Sequence, residues 1–376
     1  MRSYWDIAAW QSYDIAIIGG GIIGISTAIS CAERHPDRRI VVLERGHLPA
    51  GATTRNAGFA CFGSLSEIAY DIDMMGADTA HTLVRRRMEG LQLLLKRCGH
   101  YDIGYYADGG SEVFLQDHPS LKRLHDVNVL LHDVIGDQPF RERNDLRSDY
   151  QLSESVFALI HTTHEGTLHS GRMLQALWKR AVELGVHIRT GTEVSSIDAD
   201  AAKVTLHCSS PHQHVDLTCL QVVVATNAMI PSLVQSPVIP EITPGRGQVL
   251  VTAPVQGLSL RGSFHLDEGY YYFRELDGRV LLGGGRNLDF AGETTTSHDV
   301  TVRIQHALED LLRTVILPTH HDVAIEHRWA GTMAFTENKQ PVVAYAQPRV
   351  LVAFGCNGMG IALGSSIGQE CAQLLV

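Results

Sequence analysis

The stretch Y13-D-I-A-I-I-G19-G-G21-I-I-G24-I-S-T-A-I-S-C-A-E-R34, followed at 39–45 by R-I-V-V-L-E-R, decides how this chain folds. Tyr13 to Ile18 is an isoleucine-rich apolar run that stops at a glycine cluster, the pattern of a short buried strand. Ile22 to Arg34 has helical spacing, and Arg39 to Leu43 is a second buried-strand run ending at Glu44. Strand, turn, helix and strand make a compact unit with parallel strands. Within it Gly19-x-Gly21-x-x-Gly24 falls at the turn, with the acid Glu44 about twenty residues on, the arrangement of a dinucleotide site. Gly19 permits the tight turn, Gly21 lets the backbone approach a pyrophosphate at the helix N-terminus, Gly24 allows helix and strand to touch, and Glu44 accepts from ribose hydroxyls.

The rest of the chain bounds the possibilities. Its 376 residues suffice for two cores, and 44% hydrophobic with 19% charged residues is an ordinary globular composition. A formal charge of -10 without any long Lys/Arg run argues against nucleic acid, whose backbone most of this surface would repel. The apolar stretch Ile15 to Ile29 is too short and too glycine-rich for an integral membrane segment, and the residues before it do not resemble an export signal. The expected location is therefore cytoplasmic. Seven cysteines, an odd number without a C-x-x-C pair, are expected to be reduced thiols.

Further along, Asp78 to Cys98 and Pro119 to Ile135 read as helices that look like an insertion into the nucleotide fold. His169 to Leu184 is an amphipathic helix closed by Gly185, and Val186 to Arg189 and Ala202 to His207 follow as strands. Leu220 to Thr226 reads as a fully apolar strand returning to the parallel sheet. Between Gln248 and Gly285, alternating and aromatic runs with a turn at Asp277-Gly278 indicate an antiparallel sheet suited to cover a substrate. The tail repeats the opening pattern, with the strand VLVAFG, the loop Gly355-x-x-Gly358-x-Gly360 and a helix from Ile361. FAD and NAD(P) share the first fingerprint, but a second helix N-terminus of this kind suits the pyrimidine edge of a reduced flavin.

The blocks DIAIIGGGIIGISTA, GATTRNAG, SGRMLQALWKRAVELGV, VVVATNA, PGRGQVL, YYYFRELDGRVLLGGGRN and VAFGCNGMGIALGSSIG, in that order and over nearly the whole chain, resemble the D-amino acid oxidase superfamily of FAD-dependent oxidoreductases. That superfamily includes glycine oxidase, sarcosine oxidase and γ-glutamylputrescine oxidoreductase. The resemblance implies a two-domain α/β fold, in which a Rossmann-type FAD-binding domain with a parallel sheet is interleaved with an antiparallel-sheet substrate domain. Residues 1–80, 148–232 and 326–376 would form the first, and 81–147 and 233–325 the second. It places Glu44 and Arg45 at the adenosine end, Val194 near the adenine, and Thr53, Thr54, Arg55, Asn56 and Ala57 along the pyrophosphate and flavin. Thr226 joins the cofactor site, and Gly358, Met359, Gly360 and Ile361 face the flavin's pyrimidine side. Arg55 stands where some relatives carry a flavin-linking histidine and Met333 where sarcosine oxidase carries a flavin-linking cysteine, so non-covalent FAD is expected. Leu281 takes the place of sarcosine oxidase's oxygen-activating lysine, which leaves oxygen or another electron acceptor as the oxidant.

The implied reaction oxidises the C–N bond of an amine or amino acid by hydride transfer to flavin N5, giving an imine that hydrolyses. The nitrogen must be neutral, and a dry aromatic wall favours that form. Tyr270 and Tyr272 are candidates for the wall, because alternate strand residues face opposite sides and only one parity of Tyr270 to Phe273 can serve. Arg274, Arg328 and Arg246 are candidate forks for a substrate carboxylate. No metal site is expected at His161-x-x-His164-Glu165, with His169 nearby, or at the pair His320-His321: the order is not H-E-x-x-H, His161 and His164 precede a turn at Gly166 instead of lying on a sustained helix, and the cysteines add no ligand spacing. Two alternatives stay open: oxidation of a 2-hydroxy acid or polyol phosphate, which would need a base such as His265 or His327, and a regulatory flavin-binding module whose substrate side is filled.

Overall fold

The computed structural model describes residues 3–210, 213–320 and 322–375, so His321 of the histidine pair lies outside the described residues. The opening motif folds as its pattern dictates. Strand Ser12–Ile18 pairs in parallel with Ile40–Leu43 on one side and with Gln213–Val224 on the other. Ile15 and Ile17 point into one core and Ala16 and Ile18 into another, so the strand is buried on both faces. Gly24 sits where any Cβ would lie 1.9 Å from the carbonyl oxygen of Gly19, which fixes it as glycine by close approach. Gly19 itself has φ of 107°, the left-handed turn into helix Ile22–Arg34.

The first sheet runs, in order, Val342–Gln347, Val350–Phe354, Gln213–Val224, Ser12–Ile18, Ile40–Leu43 and His187–Arg189, with Val204–Ser210 and Glu193–Ala199 continuing as an antiparallel extension. Gln213–Val224 is longer than its apolar half suggested. Its first part pairs antiparallel with Val204–Ser210, and only its last residues enter the parallel sheet. Helices Ile22–Arg34, Ser170–Glu183 and Gly360–Leu374 cover one face. Helix Ala77–Cys98, read from sequence as an insertion, instead contributes Leu83, Leu91, Leu94 and Cys98 to that same core. Gly90 lets it lie on Gly360–Leu374, where a Cβ would stand 2.1 Å from the Ala362 carbonyl.

A second sheet of eight strands is mostly antiparallel: Ile325–Phe335, Thr243–Thr252, Arg279–Gly284, Tyr271–Leu276, Ser263–Leu266, Gly110–Phe114, Ala158–Thr162 and Arg141–Glu142. Its hairpin turns at Asp277 and Gly278 with φ of 51° and 76°, the double left-handed turn that matches strand twist. Phe264 and Phe273 stack at 4.6 Å on its far face and, with Leu308 and Leu312, hold helix Val302–Leu311 there. The two-stranded ribbon of Phe59–Ala60 and Gly166–Thr167 lies between the sheets. Among the described residues, no helix is long and apolar enough to cross a membrane.

Candidate active site

A cleft of about 510 Å³ runs from the carboxyl end of Ile40–Leu43 to the near face of the second sheet. Its first end is built for a dinucleotide. Glu44 is held in one pose, its Oε2 accepting from Gly20 N at 2.9 Å and its Oε1 from Gly46 N at 3.0 Å. Gly19, Gly21, Arg45 and Val194 complete this end, while Gly24 lies beneath it as packing. The loop at 51–58 is shaped by Asn56, whose Oδ1 accepts from Gly58 N and Ser170 Oγ while its Nδ2 donates to Ala52 and Thr53. Thr53, Arg55, Asn56 and Ala57 line the cleft, but Thr54 turns away, donating to the carbonyl of Pro49. Gly358, Met359, Gly360 and Ile361 line the middle, at the start of helix Gly360–Leu374. Thr226 Oγ1 is buried beside the cleft without a hydrogen-bond partner, a polar atom that a bound group would satisfy.

The other end is aromatic. Tyr270 and Tyr272 line it with Phe59, Met333 and Phe335, while Phe273 points into the opposite core. Strand alternation has thus selected the even parity. Burial pushes the Tyr272 phenol up to about 12, so it stays neutral at any working pH.

The three arginines expected to meet a carboxylate do not line the cleft. Arg274 is buried behind the cleft and donates to the carbonyls of Ala57, Gly58 and Leu168, with Nη1 to Leu168 O at 2.9 Å. Arg328 faces the outer side, bonded to Gln305 and to Glu309 at 2.6 Å. Arg246 is locked to buried Glu293 at 2.7 Å. Arg246 and Arg328 sit on strand positions whose parity leads away from the cleft, whereas Arg274 shares the parity of Tyr272 and is covered by the backbone of Ala57, Gly58 and Leu168.

Arg286, which was not among the expected forks, lines the cleft instead. It lies just beyond strand Arg279–Gly284 and reaches the cleft, with its guanidinium 4.1 Å above the Phe335 ring and close to Phe290. Among the described residues no carboxylate lies within ion-pair distance of it. Burial, the largest influence, lowers its pKa, while Tyr270 and Glu293 oppose that shift. The signal that marks it is local: Gly284 and Gly285 have φ of 120° and 76°, turning the chain so that the next side chain swings into the cleft.

Beside Tyr272 lies a buried titratable cluster. His265 lines the cleft, with Nε2 3.6 Å from Glu165 Oε2 and Nδ1 3.6 Å from Glu67 Oε2. Burial works against charge on its imidazole, but Cys61 and Glu165 outweigh burial and hold its pKa well above the ordinary value. Burial and then Glu165 push the Cys61 thiol up. Glu112, on the neighbouring strand, is raised by burial to about 7. His327 is exposed on the far edge strand, away from all of these. Of the histidines considered for a metal, His161 bonds Ser111 and His169 caps helix Ser170–Glu183; only Glu165 of that run points inward.

Residues 14–374 match the family described as FAD dependent oxidoreductase. The probable oxidoreductase OrdL of Haemophilus influenzae is 23% identical over 96% of this chain and 83% of its own length. The gamma-glutamylputrescine oxidoreductase of Escherichia coli is 25% identical over 96% of this chain and 83% of its own. Among solved structures, L-proline dehydrogenase from P. horikoshii superposes with a TM-score of 0.79 at 18% identity, covering 97% of this chain and 94% of that one. The cleft's dinucleotide end and its unsatisfied Thr226 hydroxyl fit FAD, which is the cofactor of this family.

Proposed function

Since the chain belongs to the family of FAD-dependent oxidoreductases, we propose that it oxidises the C–N bond of an amine that also carries a carboxylate, an amino acid or an N-substituted one. The observation that carries this reading is Arg286, a partly buried cation in the aromatic end of the cleft with no acid to pair with. A guanidinium in such a place recognises a carboxylate through paired, charge-assisted hydrogen bonds. Glu44, Arg45 and Val194 would hold the adenosine half of FAD, the 51–58 loop its pyrophosphate, and Gly358 to Ile361 its pyrimidine edge. FAD, when bound, supplies the hydride acceptor.

The chain's own contribution is orientation and dryness. With the carboxylate on Arg286, the substrate's Cα–H and nitrogen are set at a fixed distance from that anchor, the entropic part of the rate. Phe59, Tyr270, Tyr272 and Phe335 exclude water and disfavour the ammonium form, so the nitrogen lone pair is free. Arg55 and Met333 stand where covalent flavin links occur in relatives, which supports a non-covalent cofactor. All seven cysteines are free, in keeping with a reducing, cytoplasmic setting.

Oxidation of a 2-hydroxy acid is the second reading, and His265 reaches the cleft where its base would be needed. Its Nε2 and Nδ1 each face a carboxylate at 3.6 Å, Glu165 and Glu67, and against burial Cys61 and Glu165 raise its pKa, an arrangement that works against a free base and favours the amine. Anaerobic titration of the yellow protein with glycine, sarcosine, proline, D-amino acids, γ-glutamylputrescine and 2-hydroxy acids tests the choice. Flavin bleaching by a carboxylated amine is the expected result, and readmitted air then separates oxidase from dehydrogenase. Bleaching by hydroxy acids alone would overturn the proposal.

A further inference from the structure

We propose that Cys61, Glu165 and His265 form a zinc site in the wall of the flavin cleft, a role separate from the oxidation itself. One ligand atom from each lies within 4.8 Å of the other two, and all three residues are buried. The His265 Nε2 to Glu165 Oε2 distance of 3.6 Å is too long for a hydrogen bond, and Nε2 has no hydrogen-bond partner. It is close to the ligand-to-ligand edge of a small tetrahedral site. A buried imidazole nitrogen left without a partner is costly, and an ion between it and the carboxylate satisfies both.

The surroundings support the same assignment. Glu67 Oε2 stands 3.6 Å from the other ring nitrogen, Nδ1, the place of the outer carboxylate that orients a metal-bound histidine. Ser263 Oγ donates to Glu165 Oε2 at 3.1 Å and Phe62 N to Glu165 Oε1 at 3.2 Å, which aim the carboxylate. The Cys61 thiol donates to a thioether, Met359 Sδ at 3.7 Å, a weak bond to lose when it turns to a metal. Thiolate, imidazole and carboxylate together select Zn²⁺ over the harder Mg²⁺ or Ca²⁺.

Charge closes as well. Thiolate and carboxylate bring two negative charges to a neutral imidazole, so Zn²⁺ leaves no net charge in the buried wall. Cys61 and His265 both line the cleft, which gives the ion an entry path and leaves its fourth position toward the cavity. The ion would tie the ends of ribbon Phe59–Ala60 and Gly166–Thr167 to strand Ser263–Leu266, three segments far apart in the chain.

The test uses the whole flavoprotein, treated with a chelator and titrated with Co²⁺. The expected result is intense tetrahedral cobalt absorption to the red of the flavin bands, saturating at one ion per chain and displaced by Zn²⁺. Cys61→Ser should weaken Zn²⁺ binding by about tenfold or more, while Cys356→Ser, which alters another cleft thiol, should not. A weak octahedral cobalt spectrum in the native protein, or an unchanged tetrahedral one in Cys61→Ser, would overturn the site. Should Cys61→Ser lose its flavin and fail to fold, Glu165→Gln is read in its place, and the native cobalt spectrum decides independently of either variant.

Discussion

Two arginines belonging to one hairpin meet opposite fates. Arg274 is consumed by three backbone carbonyls, whereas Arg286, past the end of the next strand, keeps its fork free in the cleft. Replacing Arg286 with Met should therefore raise KM for a carboxylated amine by about 10- to 100-fold, the worth of one charge-assisted pair, and leave flavin content unchanged. Steady-state kinetics with a substrate and its decarboxylated analogue checks this: equal losses for both would mean that Arg286 does not read the carboxylate. Glu112 offers a second residue-scale prediction. Its folded pKa of about 7 lies above its ordinary 4.5, so the folded state binds the extra proton. The stability it contributes is fully present below pH 4.5 and is lost as pH rises through about 7. In Glu112→Gln the fall between those limits should shrink, by on the order of 1–3 kcal/mol, in urea unfolding followed across pH. The glycine fingerprint and Glu44 were legible because their chemistry is local, a turn and an acid within one βαβ unit. Cys61, Glu165 and His265 were not, because only the pairing of Ser263–Leu266 with Gly110–Phe114 and of the small ribbon brings them together.

At the scale of elements, the loop at 51–58 lines the cleft but has little structure of its own beyond a short turn at Ala52–Thr54. It is held from both sides. Asn56 binds helix Ser170–Glu183 through Ser170, Arg55 donates to Ala330, and Trp329 Nε1 donates to the Arg55 carbonyl at 3.0 Å. Arg274 adds the tie from strand Tyr271–Leu276, bonding Ala57, Gly58 and Leu168 at once. Arg274→Met keeps the volume of the side chain but leaves those carbonyls without their donor, at a cost of about 2–4 kcal/mol. The loop should loosen, so the variant should lose FAD on gel filtration while the native protein stays yellow. A variant that keeps its flavin and its unfolding midpoint would show that the tie is redundant. Sequence patterning found the strand that carries Arg274 and the turn at Asp277-Gly278, because alternation and turn chemistry are written in neighbouring residues. It assigned the guanidinium to substrate, because parity says which face a side chain takes but not which carbonyls wait there. Helix Ala77–Cys98 was misplaced for a related reason, since its leucine spacing shows a buried face but not the partner, and Gly90 is the one residue that hints at a close helix crossing.

The whole molecule places its cofactor cleft between two sheets, so bound FAD would bridge segments of both, adding to the ties made by the 51–58 loop, the small ribbon, the strand Ile325–Phe335 and helix Ala77–Cys98. A ligand that binds only the folded state stabilises it by mass action, about 2.7 kcal/mol at a hundredfold excess over Kd. For a chain of 376 residues that corresponds to a rise of roughly 3–4 °C in Tm. Protein stripped of flavin should therefore melt lower and recover with added FAD in proportion to the logarithm of its concentration. The cleft's construction makes the comparison with FMN decisive. FMN could engage the loop at 51–58 and the backbone at Gly358 to Ile361, but it lacks the adenosine proposed to lie on Glu44, Arg45 and Val194. Because Glu44 is fixed by two backbone donors before any ligand arrives, its contacts cost little ordering on binding, and that end of the cleft should supply much of the affinity. FMN is then expected to raise Tm by far less than FAD at equal concentration in differential scanning fluorimetry. Equal shifts would mean that the fingerprint at Gly19 shapes the fold without gripping the nucleotide, and the assignment of Glu44 and Arg45 to the adenosine end would fall.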